Sequence, residues 1–509
     1  MLRFRTLLPT LGLILTIGSA LVPAAPASTR QDAIFQDDGQ LHANPLGTLQ
    51  TLRSLGVNRI RVGIYWGAIA PNGTSRRRPS HFNASDPAAY RGHWSIYDEI
   101  VKDAKAEGIS VYFVIVGPTP LWATGSGVPR GGLTAPWKPS AQEFGSFVTA
   151  LGKRYSGTYH GLPKVSFFSI WNEPNYGIDL APEATSHDSV EVAASRYRSM
   201  VDSAWSALHR TGHAHDAFLI GETAPHGVDH PIGNYNVMRP LRFLRALYCV
   251  DAGFRQLRGS AAAARGCPTT SGGSRRFRAQ HPGLFGATGY AAHLYAQHTP
   301  PNRSLQANRD NADLAEVGQL ERTLDHLQGA YGSGNHLPIW NTEYGYQTNP
   351  PEKGALSPTT AAYYMNWAEY LSWRQPRIRS FMQYELVDPP GGNFASGLLF
   401  KTGTAKQPVL NAYRMPLYLP RTTGKPRQSL EVWGDVRPAR YAPPGQQVAI
   451  QFQANSRGGW GTVRQVAITN GQGYFDVRQS FPGSGSVRLA WAQPGTGVIL
   501  SRTVTIKLR

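Results

Sequence analysis

The sequence predicts an α/β fold, a (β/α)8 or TIM barrel, followed by a small C-terminal all-β sandwich. Its 509 residues exceed one ordinary domain and suffice for a barrel of roughly 250 to 400 residues plus a smaller module. Up to residue 414, short apolar runs alternate with amphipathic segments, a pattern typical of parallel βα units. Beyond about residue 420, short alternating strands separated by Gly and Pro favour a sandwich. We therefore expect a barrel at 28–420 and an accessory domain at 421–509.

The first three units have clear boundaries. A weak first strand at 33–36 precedes a helix with Asn44 as N-cap, Pro45 as its first residue and Gly56 after its end. The second strand is predicted at 58–65, and a helix at about 94–107 leads to the third strand at 109–116. The continuous apolar run ISVYFVIV of that strand indicates burial on both faces.

The remaining units complete a count of eight. A capping box formed by Ser140 and Glu143 begins the helix that precedes strand four. We predict strands at 164–171, 217–222, 286–295, 337–343 and 380–386, and helices at 140–155, 190–213, 312–330, 359–373 and 406–414. A polar loop at 71–90 and an insertion at 249–282 are the long departures from this pattern.

The first 27 residues have the features of a secretory signal peptide. Arg3 and Arg5 precede an apolar run at 7–22, and a small-residue stretch follows it, with cleavage expected after Ala27. The run is short for a membrane span, so an uncleaved anchor is the lesser alternative. We expect a secreted, extracellular protein with no membrane attachment after cleavage.

Cys249 and Cys267 are the two cysteines of the chain. In the oxidising compartment that a signal peptide implies, we expect them to form a disulfide that stiffens an insertion over the barrel mouth. Two unpaired thiols are the alternative. Neither cysteine has the CxxC or histidine spacing of a metal site.

The formal net charge is +19. Such a charge is compatible with binding to nucleic acid, to an anionic polymer or to the cell envelope, or with solubility alone. The basic residues are dispersed, and the runs of consecutive arginines, at 76–78 and 275–276, lie among Ser, Gly and Pro. Because no nucleic-acid motif is present, we expect no nucleic-acid partner, and leave an anionic polymer or the envelope open.

Two glutamates stand at the ends of predicted strands. Glu173 lies in WNEPN (171–175) after strand four, and Glu343 ends strand seven. Barrel enzymes gather catalytic groups at the C-terminal ends of strands, so these carboxyl groups are expected to face one another across the mouth. Glycoside cleavage requires such a pair, about 5 to 5.5 Å apart for retention and about 6.5 to 9.5 Å apart for inversion. The sequence leaves this distance open.

WNEPN together with Glu343 resembles clan A of the glycoside hydrolases, which are retaining (β/α)8 enzymes. The segments Thr342-Glu343-Tyr344, His293-Leu294-Tyr295 and 120–123 (PLWA) most resemble family 39, with family 5 second. The resemblance covers roughly residues 33–420. It implies Glu173 as general acid/base, Glu343 as nucleophile, Asn172 as a donor to the sugar 2-OH, and no metal or organic cofactor.

The same resemblance implies further substrate-binding residues. Arg61 and Tyr295 match positions that hydrogen-bond the nucleophile. A structural role in the barrel core is the alternative for both residues and for His293. Tyr384 stands at the end of strand eight, where many relatives have a tryptophan that supports the sugar. The glycone site would be lined by His293, Trp66 and Trp122.

The resulting expectation is a retaining O-glycosyl hydrolase that acts on a polysaccharide or oligosaccharide through a covalent glycosyl-enzyme. One alternative is a carbohydrate-binding envelope protein without catalytic activity, which the two carboxylates argue against. The other is a transglycosylase, which shares the covalent intermediate and differs in excluding water.

Overall fold

The computed structural model describes residues 30–185, 190–454 and 458–509. The predicted signal peptide at 1–27 lies outside the described residues. Within them, none of the helices is both long and apolar enough to cross a membrane.

Eight parallel strands form the wall of the first domain, and they confirm the predicted barrel. The strands are β1 Asp32–Gln36, β2 Arg59–Tyr65, β3 Ser110–Val116, β4 Phe167–Ile170, β5 Ala217–Thr223, β6 Gly289–His293, β7 Ile339–Glu343 and β8 Ser380–Tyr384. Their spatial order is β8-β1-β2-β3-β4-β5-β6-β7, and β7 approaches β8 through a hydrogen bond from the Arg379 N–H to the Ile339 carbonyl.

Helices surround this wall and begin close to the predicted residues. The Asn44 side chain caps its helix by accepting a hydrogen bond from the Gly47 N–H, and Ser140 accepts one from the Glu143 N–H. The α-helices are Asp38–Ala43, Pro45–Ser54, Trp66–Ile69, Ser95–Ala106, Ala141–Arg154, Ala193–Arg210, Pro240–Leu247, Gly259–Ala264, Ser271–Gln280, Pro282–Gly286, Val317–Gly329, Pro358–Arg374 and Val409–Arg414. Short 3-10 helices span Pro87–Trp94, Leu121–Ala123, Leu314–Glu316 and Arg437–Tyr441.

One predicted helix begins later than expected. Val190–Glu191 form a short antiparallel pair with Ala184–Thr185, and the helix starts only at Ala193. The pair extends the loop that follows β4, so this segment belongs to the loops on the C-terminal face of the barrel.

The Cys249–Cys267 disulfide is present, with an S–S distance of 2.04 Å. Its position over the mouth was predicted wrongly. The helix Pro240–Leu247 runs away from the mouth, and the insertion that follows packs against the loop before β7. Gln256 Nε2 donates to the Ala330 carbonyl at 2.8 Å, and Arg278 Nη1 donates to the Gly332 carbonyl at 2.6 Å. The insertion therefore lies at the end of the barrel opposite to the mouth.

The second domain consists of two β-sheets that enclose their own apolar core. Leu417 and Tyr418, just before the predicted boundary at 421, pair with Gly434 and Trp433 of this domain. The strands are β9 Leu417–Tyr418, β10 Thr423–Gly424, β11 Ser429–Asp435, β12 Gln447–Ala454, β13 Gly461–Ala467, β14 Tyr474–Ser480, β15 Gly485–Gln493, β16 Gly497–Leu500 and β17 Val504–Leu508. A three-stranded sheet has the order β9-β11-β14, and a six-stranded sheet has the order β10-β17-β15-β12-β13, with β16 pairing to β15.

A buried ion pair joins the two domains. Arg437 of the second domain donates from Nη2 to both carboxylate oxygens of Glu369, at 2.8 and 2.7 Å, and Glu369 lies on the barrel helix Pro358–Arg374. Both side chains are 0% exposed. The Arg437 Nε also donates to the Tyr413 carbonyl at 3.0 Å. The Tyr474 hydroxyl donates to Glu369 Oε1 at 3.2 Å, and this tyrosine belongs to a cluster of five buried aromatic side chains drawn from both domains: Tyr370, Trp373, Tyr418, Trp433 and Tyr474.

Removal of this arginine is expected to destabilise the whole chain. In Arg437→Met, Glu369 stays buried without its cation, and breaking a buried pair in this way costs about 3 to 5 kcal/mol. Urea denaturation measures the loss in free energy of unfolding. The double variant Glu369→Met with Arg437→Met should lose less than Arg437→Met, because only one of the two carboxyl groups around Arg437, that of Asp435, then stays buried without its cation. Arg78→Met, which breaks a half-exposed pair with Glu143, should cost about 1 kcal/mol or less. An Arg437→Met protein as stable as the wild type contradicts this account.

Candidate active site

The mouth of the barrel gathers charged side chains from five strands. Parallel strands present their carboxyl ends at the same face, so residues at or just after those ends converge. β2 supplies one cation and β6 the other, while the carboxyl groups come from the ends of β4, β5 and β7. The residues are Arg61, Glu173, Glu222, His293 and Glu343.

Glu343 is held by three neighbouring groups. Arg61 Nη1 donates to its Oε1 at 2.7 Å, and the Tyr295 hydroxyl donates to its Oε2 at 3.2 Å. His293 Nδ1 lies 3.4 Å from the same Oε2. Burial and the charge of Glu343 raise the pKa of Tyr295 well above its usual range, so the hydroxyl stays a donor. These contacts stabilise negative charge on Glu343 and fix its direction.

Glu173 faces Glu343 across the same histidine. His293 Nδ1 donates to Glu173 Oε1 at 2.9 Å. One carboxylate oxygen of each glutamate and a ring nitrogen of His293 all lie within 4.8 Å of one another. The backbone at Trp171 and Glu173 has φ of 67° and 38°, in the left-handed region that non-glycine residues rarely adopt. Such strain is concentrated at functional sites, where it directs side chains.

Glu222 lies buried at the bottom of the site. Arg61 Nη2 and His293 Nε2 donate to its Oε2 at 3.0 and 2.9 Å, and the side chain is 0% exposed. Burial alone would raise the pKa of Glu222, but Arg61 and His293 lower it below its usual range. Three hydroxyl groups also donate to this carboxylate, those of Ser169, Thr342 and Tyr112. The sequence did not predict this central position, and its one signal was a lone charge at the end of the apolar run AFLIGE.

His293 is a buried cation. Burial opposes its charge, but the carboxylates of Glu343, Glu173 and Glu222 outweigh that effect and raise the pKa of His293 to about 10. Both ring nitrogens therefore donate hydrogen bonds at neutral pH, Nδ1 toward Glu173 and Nε2 toward Glu222.

Asn172 is fixed between two neighbours. Its Oδ1 accepts a hydrogen bond from Arg61 Nη2 at 3.1 Å. Its side chain also hydrogen-bonds Asp179, whose pKa is raised well above its usual range by burial and by the charges of Glu173 and Glu343. Asn172 therefore enters the mouth in one orientation.

A cavity of about 890 Å³ lies over the two glutamates. Among the predicted site residues, Asn172, Glu173, Tyr295, Glu343 and Tyr384 line it. Hydrogen-bonding side chains from the loops after β5 to β8 form much of the remaining wall, namely His226, Gln297, His298, Gln306, Gln347, Glu385 and Asn393. A cavity of this size and polarity suits a hydroxyl-rich ligand.

Three predicted lining residues do not reach this cavity. Trp66 is 0% exposed because its ring packs outward against Phe144 and Phe147 of the helix Ala141–Arg154. Trp122 packs against Trp66 and donates to the Pro71 carbonyl at 3.0 Å. His293 lies beneath the glutamates rather than beside the ligand space, because its two nitrogens are both engaged by carboxylates.

Two groups of metal-ligand side chains occur among the described residues. One is Glu173, His293 and Glu343, whose ligand atoms contact one another as described above. In the other, His226 Nε2 donates to Asp313 Oδ2 at 3.0 Å, and the Glu316 N–H donates to Asp313 Oδ1 at 3.1 Å. Hydrogen bonding explains both groups, so we assign a metal to neither.

Comparison with solved structures finds glycoside hydrolases. The chain is similar to a family 39 glycoside hydrolase from Bacteroides cellulosilyticus WH2, with 13% identity and a TM-score of 0.47 over 89% of this chain and 80% of that one. It is similar to a glucosidase from Croceicoccus marinus, with 11% identity and a TM-score of 0.48 over 89% and 91% of the two chains. An endo-β-1,4-mannanase from Thermotoga petrophila has 12% identity and a TM-score of 0.40 over 94% and 98%. No family model and no curated protein match the sequence.

Neutralising Glu222 is expected to lower the pKa of His293. Glu222→Gln removes one carboxylate that stabilises the imidazolium, and an opposite charge at this distance is worth about 1 to 3 pKa units. Long-range ¹H–¹⁵N spectra of histidine-labelled protein follow the titration, with a His293→Gln spectrum for assignment. Asp325→Asn, beside the exposed His336, is the control that should leave the His293 titration unchanged. An unaltered His293 titration in Glu222→Gln contradicts the role given to Glu222.

Proposed function

We propose that the protein is a retaining glycoside hydrolase that cleaves O-glycosidic bonds of a polysaccharide or oligosaccharide by double displacement. The observation that supports this proposal best is the position of Glu173 and Glu343. Their carboxylate oxygens approach within 4.8 Å beneath one cavity. Retention requires carboxyl groups about 5 to 5.5 Å apart, whereas inversion requires about 6.5 to 9.5 Å to admit a water molecule.

Glu343 is the nucleophile in this proposal. Arg61 and Tyr295 direct its carboxylate, and its side chain is 14% exposed toward the cavity. In the first step, one of its oxygens forms an ester bond to the anomeric carbon while the bond from that carbon to the leaving oxygen breaks. Arg61 and Tyr295 are already in place, so little reorganisation is required as the charge moves.

Glu173 supplies the proton for the leaving oxygen. Glu343 is paired with Arg61, and Glu222 is paired with Arg61 and His293. Glu173 makes no ion pair with Arg61 in the described part of the chain and lines the cavity, so we assign it as the proton donor. Its Oε1 accepts from His293, which leaves Oε2 for the leaving oxygen.

The second step returns the enzyme to its starting state. Glu173, now ionised, removes a proton from water, and the water oxygen bonds to the anomeric carbon. The ester bond to Glu343 breaks, and Glu343 regains its carboxylate. Asn172 is oriented by Arg61 and lines the cavity, where it is placed to bind a hydroxyl of the same sugar.

We also propose that the enzyme acts outside the cytoplasm. The support is the Cys249–Cys267 disulfide, since such bonds persist in oxidising compartments and are rare in the cytosol. N-terminal sequencing of protein recovered from culture medium tests the proposal: a mature chain beginning near residue 28 is expected, and retention of the full leader inside cells contradicts it.

The two glutamates should fail differently when replaced. Glu343→Gln removes the attacking group, so activity should fall by several orders of magnitude with any leaving group. Glu173→Ala removes the proton donor, which matters for a sugar leaving group and little for an activated dinitrophenolate. The Glu173→Ala enzyme should therefore still release dinitrophenolate from a panel of 2,4-dinitrophenyl glycosides, and azide should accelerate turnover by attacking the covalent intermediate without a general base.

Equal loss of activity on natural and activated substrates in Glu173→Ala, without an azide product, contradicts the assignment of Glu173. Proton NMR of the first product gives a second test, because an inverted anomer excludes double displacement. Binding without any bond cleavage supports a non-catalytic carbohydrate-binding protein, and elongated products in place of free reducing ends indicate a transglycosylase.

A further inference from the structure

Glu385 is a third carboxyl group in the cavity. It follows Tyr384 at the end of β8 and lines the same space as Glu343. Its φ is 72°, and its N–H donates to the Gln36 carbonyl of β1 at 2.8 Å. A non-glycine residue keeps this conformation only where the surroundings enforce it, which occurs most often at ligand sites. β1 and β8 together therefore set the direction of this side chain.

The carboxyl group of Glu385 has no donor in the described part of the chain. Its Oε2 is buried and makes no hydrogen bond. The nearby cation, Lys406, is committed elsewhere, because its Nζ donates to Asp388 Oδ1 at 2.7 Å and to the Ala395 carbonyl at 3.3 Å. A buried carboxyl group without a partner is unfavourable, most of all when it is ionised.

The groups around Glu385 favour its uncharged form. Burial raises the pKa of Glu385 to about 8, the charges of Asp37, Asp388 and Glu343 act in the same direction, and Lys406 opposes them. Asp37, which follows β1, accepts hydrogen bonds from the N–H groups of Leu386 and Val387 and makes no hydrogen bond with Glu385 in the described part of the chain.

We propose that Glu385 binds the substrate as an uncharged carboxylic acid and donates a hydrogen bond to an oxygen of the sugar held beside Glu343. This inference rests on the proposed glycosidase function. A protonated carboxyl group offers one O–H donor together with an acceptor, which matches the two roles of a sugar hydroxyl. The ionised form accepts only, and it places a further negative charge beside Glu343. The sugar at this position is therefore recognised through an uncharged oxygen substituent.

The pH dependence of KM tests this proposal. The probe is the 2,4-dinitrophenyl glycoside that the wild type cleaves with the highest kcat/KM. Glu385→Gln keeps an uncharged donor of similar shape, and both enzymes share Glu173 and Glu343, so the ratio of wild-type KM to Glu385→Gln KM isolates Glu385. The ratio should be constant below about pH 7 and rise about tenfold by about pH 9, because only the protonated fraction of the wild type binds well. Asp476→Asn is the control: this carboxyl group also has a raised pKa but lies in the second domain, and its ratio should stay constant.

Thermal unfolding gives a readout that does not depend on activity. A carboxyl group whose folded pKa is raised contributes stability that is present below its unfolded pKa and is lost as the pH rises to the folded value. The glutamine of Glu385→Gln does not ionise, so this variant does not lose stability in the same way. Its Tm minus the wild-type Tm should therefore grow between about pH 5 and about pH 8.

A constant KM ratio from about pH 6 to about pH 9 overturns the proposal, whether or not the Tm difference grows. A raised KM for Glu385→Gln at about pH 6 overturns it as well, because the uncharged donor is then not what binds. If the wild type releases dinitrophenolate from no glycoside, the proposed function fails and this inference fails with it. If the wild type releases dinitrophenolate but the KM ratio stays constant with pH, the proposal for Glu385 fails and the proposed glycosidase function stands.

Discussion

The arrangement of the mouth depends on one buried guanidinium. Arg61 is 1% exposed, yet it contacts Gln36 of β1, Asn172 after β4, Glu222 of β5 and Glu343 of β7. Burying a charge is costly unless hydrogen-bonding partners surround it, so Arg61 needs each of these side chains. The position of each side chain is fixed both by the strand that carries it and by its hydrogen bond to Arg61. The result is a set of donors that is already aligned before any ligand arrives. The barrel gives up some stability to hold charges in its interior and obtains preorganisation in return.

The fold and the two facing glutamates were predictable because their signals are local. Apolar runs of fixed length give strands, and WNEPN and Glu343 stand where strands end. The other features of the site depend on tertiary packing, which the hydrophobic periodicity of the sequence does not encode. Trp66 immediately follows a strand, and whether it points toward the mouth or toward Phe144 is decided by a helix some eighty residues later. Glu222 is central because it meets both Arg61 and His293, but a lone carboxylate at a strand end has no spacing that reveals such partners. The position of the disulfide insertion likewise depends on the direction of the helix before it.

The charge of the mouth differs from that of the whole chain. The protein carries a formal net charge of +19, whereas the carboxyl groups of Glu173, Glu343 and Glu385 line the cavity. The two cations of the site, Arg61 and His293, lie beneath the cavity and are both paired with the buried Glu222. In the proposed function the sugar is recognised by hydrogen-bonding groups of the cavity, so the dispersed arginines that give the chain its net charge take no part in that recognition.

The ion pair between Glu369 and Arg437 also bears on how such a chain can evolve. The seam between two domains of one chain usually resembles a transient protein–protein interface, which is more polar than an obligate one, so that the domains can move relative to each other. Here the seam contains a fully buried carboxylate on the barrel side and an aromatic layer contributed by both domains. A recombination event at this point would leave the barrel with an uncompensated anion in an apolar surface. The two domains are thus expected to be inherited together, and the C-terminal domain is a structural partner of the barrel rather than an interchangeable appendage.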